Sequence, residues 1–141
     1  MICVDASVAA KWLFAEEYTT QADDLLRVTL GRQEQIVAPP LLWSEIANIL
    51  RQRMRRTGLQ LAEARALMAQ FLRVPIALQA PDALYDRILV LADQYNLPAV
   101  YDAHYLALAE FSSATFWTAD RRLLEALGGR LPFVRWIADF V

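Results

Sequence analysis

The sequence predicts an α/β fold in which a short, mostly parallel sheet is flanked by helices. Short apolar runs typical of buried strands alternate along the chain with segments of helical periodicity. With 141 residues, the chain has the length of one domain (residues 1–141), and its 57% apolar content suffices for a substantial core. No internal repeat, linker or low-complexity tract interrupts the pattern.

Five strands are predicted, at residues 2–4, 35–38, 74–77, 115–117 and 133–136. The intervening helices are predicted at residues 6–14, 19–30, 40–56, 61–71, 81–95, 100–111 and 120–127. Prolines mark the start of two of these helices, whereas Gly31, Gly58 and Gly128 mark helix ends. Because parallel sheets bind ligands at the carboxyl ends of their strands, functional residues are expected at that edge.

Composition excludes several classes of protein. The net charge of −2 disfavours a protein that wraps duplex nucleic acid. The single cysteine, Cys3, excludes an internal disulfide framework and a cysteine-based zinc site. No basic leader precedes the first apolar run, and no uninterrupted apolar stretch is long enough to span a bilayer. We therefore expect a cytoplasmic protein without membrane contact.

Four carboxylates occupy positions that call for an explanation. Asp5 and Asp120 each follow an apolar strand, and Thr118 adds a hydroxyl at the second strand end. Glu45 borders the apolar face of its helix, and Asp102 is aligned with the apolar stripe of another. Taken singly, each acid also suits a helix cap or a first helical turn, where the helix dipole favours negative charge.

All four acids can meet at the carboxyl edge of a parallel sheet. Clustered carboxylates repel one another and are stable only with bound protons or cations. Oxygen ligands without cysteine or histidine select Mg²⁺ or Mn²⁺. Such an ion lowers the pKa of a bound water and stabilises charge on a phosphate. The pattern therefore predicts metal-dependent phosphodiester hydrolysis.

Four sequence blocks carry a family resemblance that spans essentially the whole chain. They are VDAS at residues 4–7, SEIAN at 44–48, YDAHYLALA at 101–109 and WTADRRL at 117–123. With all four acids in order, the chain resembles the PIN-domain nucleases, and its short length resembles the VapC-type toxins of toxin–antitoxin pairs. The resemblance implies a three-layer α/β/α PIN-like fold, Mg²⁺- or Mn²⁺-dependent RNA cleavage, homodimerisation and inhibition by a small antitoxin.

The resemblance also implies roles for individual residues. The expected catalytic acids are Asp5, Glu45, Asp102 and Asp120. The expected metal ligands are Asp5, Asp102 and Asp120, the last either directly or through water. Glu45 is expected to position the water on that metal or to assist its deprotonation. The hydroxyls of Ser7 and Thr118 are expected to support the site.

Basic residues form a second set of candidates. They are Arg51, Arg53, Arg55 and Arg56, near the end of the predicted helix 40–56. These arginines can be solvent-exposed residues at a helix C-terminus, where the helix dipole favours positive charge. Alternatively, they can form a surface that binds the phosphates of RNA. Arg121 and Arg122 leave the same alternatives open. His104 lies about 200° around its helix from Asp102, which indicates a surface or interface residue rather than a catalyst.

Other classes of protein remain to be weighed. A receiver-like phosphoryl-accepting signalling domain also has an acidic magnesium site, but it needs a lysine near a late strand end, and the only lysine here is Lys11. A phosphatase of the haloacid dehalogenase type needs a second aspartate two positions after Asp5, where Ser7 stands. A catalytically inert PIN-fold interaction module stays open as the third alternative.

Overall fold

The computed structural model describes all 141 residues around a five-stranded sheet in which every strand pairing is parallel. The strands are β1 Ile2–Val4, β2 Ile36–Ala38, β3 Ile76–Leu78, β4 Thr115–Thr118 and β5 Val134–Trp136. Their order is β3-β2-β1-β4-β5, so β1 is the central strand. The predicted parallel sheet is confirmed, with strand boundaries that differ by at most two residues.

Seven α-helices connect the strands and cover the sheet. They are α1 Ala6–Ala9, α2 Thr19–Gly31, α3 Leu41–Thr57, α4 Leu61–Phe71, α5 Leu84–Gln94, α6 Tyr101–Ser112 and α7 Arg121–Leu127. The helix predicted over residues 6–14 is wrong in its second half, where α1 gives way to a 3₁₀ turn at Ala10–Trp12. The indole Nε1 of Trp12 donates to the carbonyl of Ala22 in α2 at 2.9 Å, which draws this segment towards α2.

Helices lie on both faces of the sheet. Successive strand residues point to opposite faces, yet all three residues of β1 and all three of β2 are buried. The arrangement is therefore the three-layer α/β/α architecture. Cys3, in the middle of β1, is fully buried. No helix combines the length and hydrophobicity that a bilayer crossing requires.

The pairing of β1 with β4 sets the position of the candidate site. Val4 lies opposite Trp117 in the register of these two strands, so both strands end at the same edge of the sheet. Asp5 follows β1 directly, and Thr118 is the last residue of β4. The helix α6, which carries Asp102, packs against β1, β2 and β4. The sequence segments that contain three of the predicted acids therefore meet at this edge.

Candidate active site

Asp5 lies at the centre of a hydrogen-bond network. Only 5% of its surface is exposed, and its carboxylate accepts hydrogen bonds of 2.5 Å from the hydroxyls of Ser7 and Thr118. It also accepts from the backbone N–H of Val8 at 3.1 Å, which caps α1. Burial raises the pKa of Asp5 to about 6, and the negative charge of Asp102 adds to this effect, although the hydrogen bonds oppose it.

Ser7 and Thr118 connect Asp5 to the segment that precedes α7. The hydroxyl oxygen of Ser7 accepts from the backbone N–H of Ala119 at 2.8 Å. The hydroxyl oxygen of Thr118, which is fully buried, accepts from the backbone N–H of Asp120 at 3.0 Å. Each hydroxyl therefore donates to the carboxylate of Asp5 and accepts from the backbone, which fixes the distance between β1 and the start of α7.

Asp120 caps α7, as its position after a strand predicts. Its Oδ1 accepts from the backbone N–H groups of Arg122 at 2.8 Å and Leu123 at 3.3 Å. Its Oδ2 makes no hydrogen bond within the protein. One carboxylate thus serves as a helix cap and keeps an oxygen available for a ligand, so the two interpretations of this residue are compatible.

Glu45 and Asp102 line one open cleft between α3 and the start of α6. The cleft has a volume of about 480 Å³, and it contains no basic side chain. Its remaining lining residues are Leu41, Ser44, Asn48, Ile49, Pro98, Ala99 and Tyr101. Burial raises the pKa of Glu45 to about 7, and the charges of Asp5 and Asp102 add to the shift. Burial also raises the pKa of Asp102, and the charge of Asp120 adds to this.

Sequence reasoning did not identify Tyr105 as a residue of this site. Its hydroxyl donates a hydrogen bond to Glu45 Oε1 at 3.1 Å. Its position three residues after Asp102 places it on the apolar stripe of the same helix, and Tyr105 is only 1% exposed. A hydroxyl in a buried aromatic ring needs a polar partner, and this requirement was the available signal.

The four predicted acids influence one another electrostatically. Asp102 raises the pKa of both Asp5 and Glu45, and Asp120 raises that of Asp102. No arginine or lysine forms an ion pair with any of the four. As the side chains stand, however, no three histidine, cysteine, aspartate or glutamate residues form a ready-made metal-binding group. The site is a cluster of uncompensated negative charge rather than a closed coordination shell.

A second cleft, of about 510 Å³, opens on the Asp120 side of the acidic cluster. We call it the basic cleft, and it is lined by Ser7, Lys11, Glu17, Tyr18, Ala119, Asp120, Arg121 and Arg122. Lys11, which lies in the 3₁₀ turn after α1 and four residues after Ser7, lines the same cleft. Arg121 and Arg122, for which two interpretations were open, line this cleft as well.

The arginines near the end of α3 are not equivalent. Arg51, Arg55 and Arg56 are exposed and form no ion pair. Arg53 is half-buried, because it donates to Glu16 Oε1 at 2.7 Å and its guanidinium lies 4.2 Å from the ring centre of Phe14. Arg53 therefore has a structural role that the sequence did not indicate.

His104 points away from the acidic cluster, as its helical angle predicts. It is half-buried, its Nδ1 lies 2.7 Å from the carbonyl oxygen of Val100, and its ring meets that of Tyr85 edge-on. It lines a separate, smaller pocket between α5 and α6 that contains none of the four acids.

Comparisons with known proteins agree with this geometry. The family model for the PIN domain matches residues 2–128. VapC ribonuclease Mb0985 of Mycobacterium bovis and Ribonuclease VapC9 of Mycobacterium tuberculosis are each 34% identical over 132 residues, covering 94% of this chain and 95% of each relative. The chain therefore belongs to the PIN-domain family, and these two relatives place it among the VapC-type members.

Solved structures support the fold. A chain of a toxin–antitoxin complex from Klebsiella pneumoniae is similar with a TM-score of 0.69 at 15% identity, covering 96% of both chains. The crystal structure of PAE2754 from Pyrobaculum aerophilum has a TM-score of 0.69 at 22% identity, covering 97% of this chain and 89% of the other. Because the chain belongs to the PIN-domain family, the alternative of a receiver-like phosphoryl-accepting domain is wrong.

Proposed function

We propose that this protein is an Mg²⁺- or Mn²⁺-dependent endoribonuclease that hydrolyses RNA phosphodiester bonds as the toxin of a toxin–antitoxin pair. One observation carries the proposal. Four carboxylates from separate segments influence one another at a single sheet edge without a compensating cation, in a chain of the VapC type. These four are Asp5, Glu45, Asp102 and Asp120.

The donor set suits a hard divalent cation. The ligand atoms of the four acids, Ser7 and Thr118 are all carboxylate or hydroxyl oxygens, and the raised pKa values of Asp5 and Glu45 mean that added positive charge is stabilising. Asp5, Asp102 and Asp120 would hold the ion, and binding would have to draw these side chains together. When bound, the ion supplies positive charge that stabilises the phosphate and lowers the pKa of water.

Glu45 acts in this proposal as the general base. In the metal-free protein the pKa of Glu45 is about 7, near the pH at which proton transfer by a carboxylate is most effective, and a bound cation would lower it. Tyr105 occupies Oε1, so Oε2 is free to accept a proton from the attacking water. Asp5 is oriented by Ser7 and Thr118, whose hydroxyls hold its carboxylate in place.

The proposed partners are RNA, a small antitoxin and a second copy of the chain. Exposed apolar side chains support protein partners, because Tyr85 and Leu89 lie one turn apart on α5 with 53% and 65% of their surfaces exposed. The structurally similar Klebsiella pneumoniae chain comes from a toxin–antitoxin complex. A free, buried Cys3 and an RNA substrate agree with a cytoplasmic location.

The decisive experiment is cleavage of a single-stranded RNA of random sequence by the purified protein with Mg²⁺, with Mn²⁺ and with EDTA. Cleavage is expected with either ion and not with EDTA. Asp102→Asn should abolish it, whereas Asp93→Asn, which changes an exposed aspartate of α5, should not. RNA that stays intact with both ions, or equal cleavage by the two variants, would favour the inert interaction module.

A further inference from the structure

We infer that the basic cleft binds a phosphate of the RNA strand immediately next to the phosphate that is cleaved. The inference rests on the proposed ribonuclease function and adds the path of the substrate across the site. Asp120 belongs both to the basic cleft and to the acidic cluster, so a strand in this cleft runs directly up to the candidate catalytic residues.

The two clefts that flank the acidic cluster differ in charge. The cleft of Glu45 and Asp102 is lined by apolar and uncharged polar residues besides these acids. The basic cleft contains Lys11, Arg121 and Arg122. Since every internucleotide linkage of RNA carries a negative charge, the basic cleft is the side on which a flanking phosphate is stabilised.

Arg121 is held in place by neutral groups. Its guanidinium carbon lies 4.6 Å from the ring centre of Trp136, and its Nη2 donates to the hydroxyl oxygen of Tyr18 at 3.3 Å. The rings of Tyr18 and Trp136 meet edge-on with centres 5.8 Å apart. No carboxylate pairs with Arg121, so most of its N–H donors and its full charge remain available to an anion.

Two features of the basic cleft are unfavourable for the isolated protein. Arg121 and Arg122 open α7, although the helix dipole disfavours cations at this end. Tyr18 has φ of 64°, in the left-handed region that residues with a side chain rarely adopt. Strain of this kind is retained at ligand clamps. A bound anion would offset the first of these features, because it would neutralise the charge of the two arginines.

The anion would contact side chains rather than the helix backbone. Asp120 already accepts hydrogen bonds from the N–H groups of Arg122 and Leu123. Lys11 contributes less than the arginines, because its Nζ pairs with Glu16 Oε2 at 3.2 Å. Glu17 is exposed, so solvent screens the repulsion between its negative charge and a bound anion. Arg121 and Arg122 are therefore the residues to test.

The first test measures RNA binding with EDTA present, so that no cleavage occurs. The double variant Arg121→Gln/Arg122→Gln is compared with Arg65→Gln/Arg73→Gln, which removes two exposed arginines that form no ion pair. The probe is a single-stranded RNA 20-mer of random sequence. The first variant should bind roughly tenfold more weakly, and its slope of log Kd against log salt should fall by about 0.7 for each lost phosphate contact.

The second test locates the phosphate. Neutral methylphosphonate linkages are placed one at a time around the cleavage site, and cleavage is measured with Mg²⁺. The wild type and the control variant should be slowed by the neutral linkage at one flanking position, whereas Arg121→Gln/Arg122→Gln should be insensitive there. Unchanged RNA affinity, or the same positional pattern in all three proteins, overturns the inference and favours a protein partner for the cleft. If the wild type does not cleave RNA at all, the proposed function itself fails.

Discussion

The hydroxyl of Tyr105 donates a hydrogen bond to Glu45 Oε1 across 3.1 Å and thereby joins α6 to α3 at the edge of the acidic cluster. The ring of Tyr105 is buried and stacks on Phe116, with ring centres 6.0 Å apart. The core therefore fixes the donor, and the donor orients the carboxylate of the half-buried Glu45. A residue of the hydrophobic core thus controls the direction of the candidate base.

Tyr105→Phe should retain the packing and delete this one hydrogen bond. The bond lowers the pKa of Glu45, so its loss should raise that pKa above the present value of about 7. The acidic limb of the pH–rate profile for RNA cleavage should then move to higher pH, with a severalfold loss of rate at pH 7 that recovers at pH 8.5. Tyr85→Phe, on the exposed surface of α5, is the matched control. An unshifted profile would contradict the positioning role of Tyr105.

Glu45→Gln tests the general base directly. The variant keeps the shape of the side chain and an oxygen for Tyr105, but it cannot accept a proton from water. We expect the rate of RNA cleavage to fall by about 10²- to 10⁴-fold while RNA affinity is kept. Glu63→Gln, which changes an exposed acid in the first turn of α4, should have no effect. Wild-type cleavage by Glu45→Gln would assign the proton transfer elsewhere.

The stability of the metal-free protein should fall as the pH rises from 5 to 8. Asp5 and Glu45 have pKa values of about 6 and about 7 in the folded state, above their ordinary values of 3.8 and 4.5. The folded state thus binds more protons than the unfolded state in this range, and stability declines until each group has ionised in the folded state as well. Between pH 5 and 8 the decline should reach at most about 1.4 kcal/mol for Asp5, because the unfolded chain has already lost most of this proton by pH 5. Glu45 should add a further decline, reduced by solvent screening of this half-buried group. Thermal unfolding in EDTA at a series of pH values measures it.

Two additions make this pH experiment specific. Asp5→Asn should reduce the decline to the contribution of Glu45, whereas the exposed Asp23→Asn should leave it unchanged. Mg²⁺ should raise the unfolding midpoint more at pH 8 than at pH 5, since the cation binds the ionised carboxylates. Equal effects of Mg²⁺ at the two pH values would argue against a cation site at these acids.

Substitution of Arg53 and of Arg55 should distinguish an arginine with a structural role from one that binds RNA. Arg53→Gln removes the ion pair with Glu16 and the contact with Phe14, so amide hydrogen exchange in residues 13–18 should accelerate and stability should drop by about 0.5–1 kcal/mol. Arg55→Gln should leave both unchanged and weaken binding of single-stranded RNA. If Arg55→Gln binds RNA like the wild type, the exposed arginines of α3 merely solvate the helix end.

The sequence was sufficient to predict the parts of the site that depend on local order. An acid directly after a buried strand must lie at the carboxyl edge of a parallel sheet, so the neighbourhood of Asp5 and the start of α7 followed from strand prediction alone. Helical periodicity likewise placed Asp102 towards the sheet and His104 away from it. These predictions needed only the positions of residues within their own elements.

The contacts between distant segments could not be predicted in this way. The partners Tyr105 and Glu45 are 60 residues apart, and periodicity gives the face of each helix but not the atom that it meets. The same limitation applies to Arg53, whose partner Glu16 lies 37 residues away. Beyond the early end of α1, Trp12 forms a hydrogen bond with another helix, a contact that local propensity does not predict.

The position of Cys3 allows its alkylation to report how often the central strand of the sheet becomes exposed. The sulfur lies in the middle of the central strand, and burial raises the pKa of the thiol, so the reactive thiolate is suppressed while the sheet is intact. An alkylating reagent can reach it only after β1 separates from its neighbours. Because Asp5 directly follows this strand, two residues after Cys3, the alkylation rate would record how often the sheet opens next to the candidate catalytic residues.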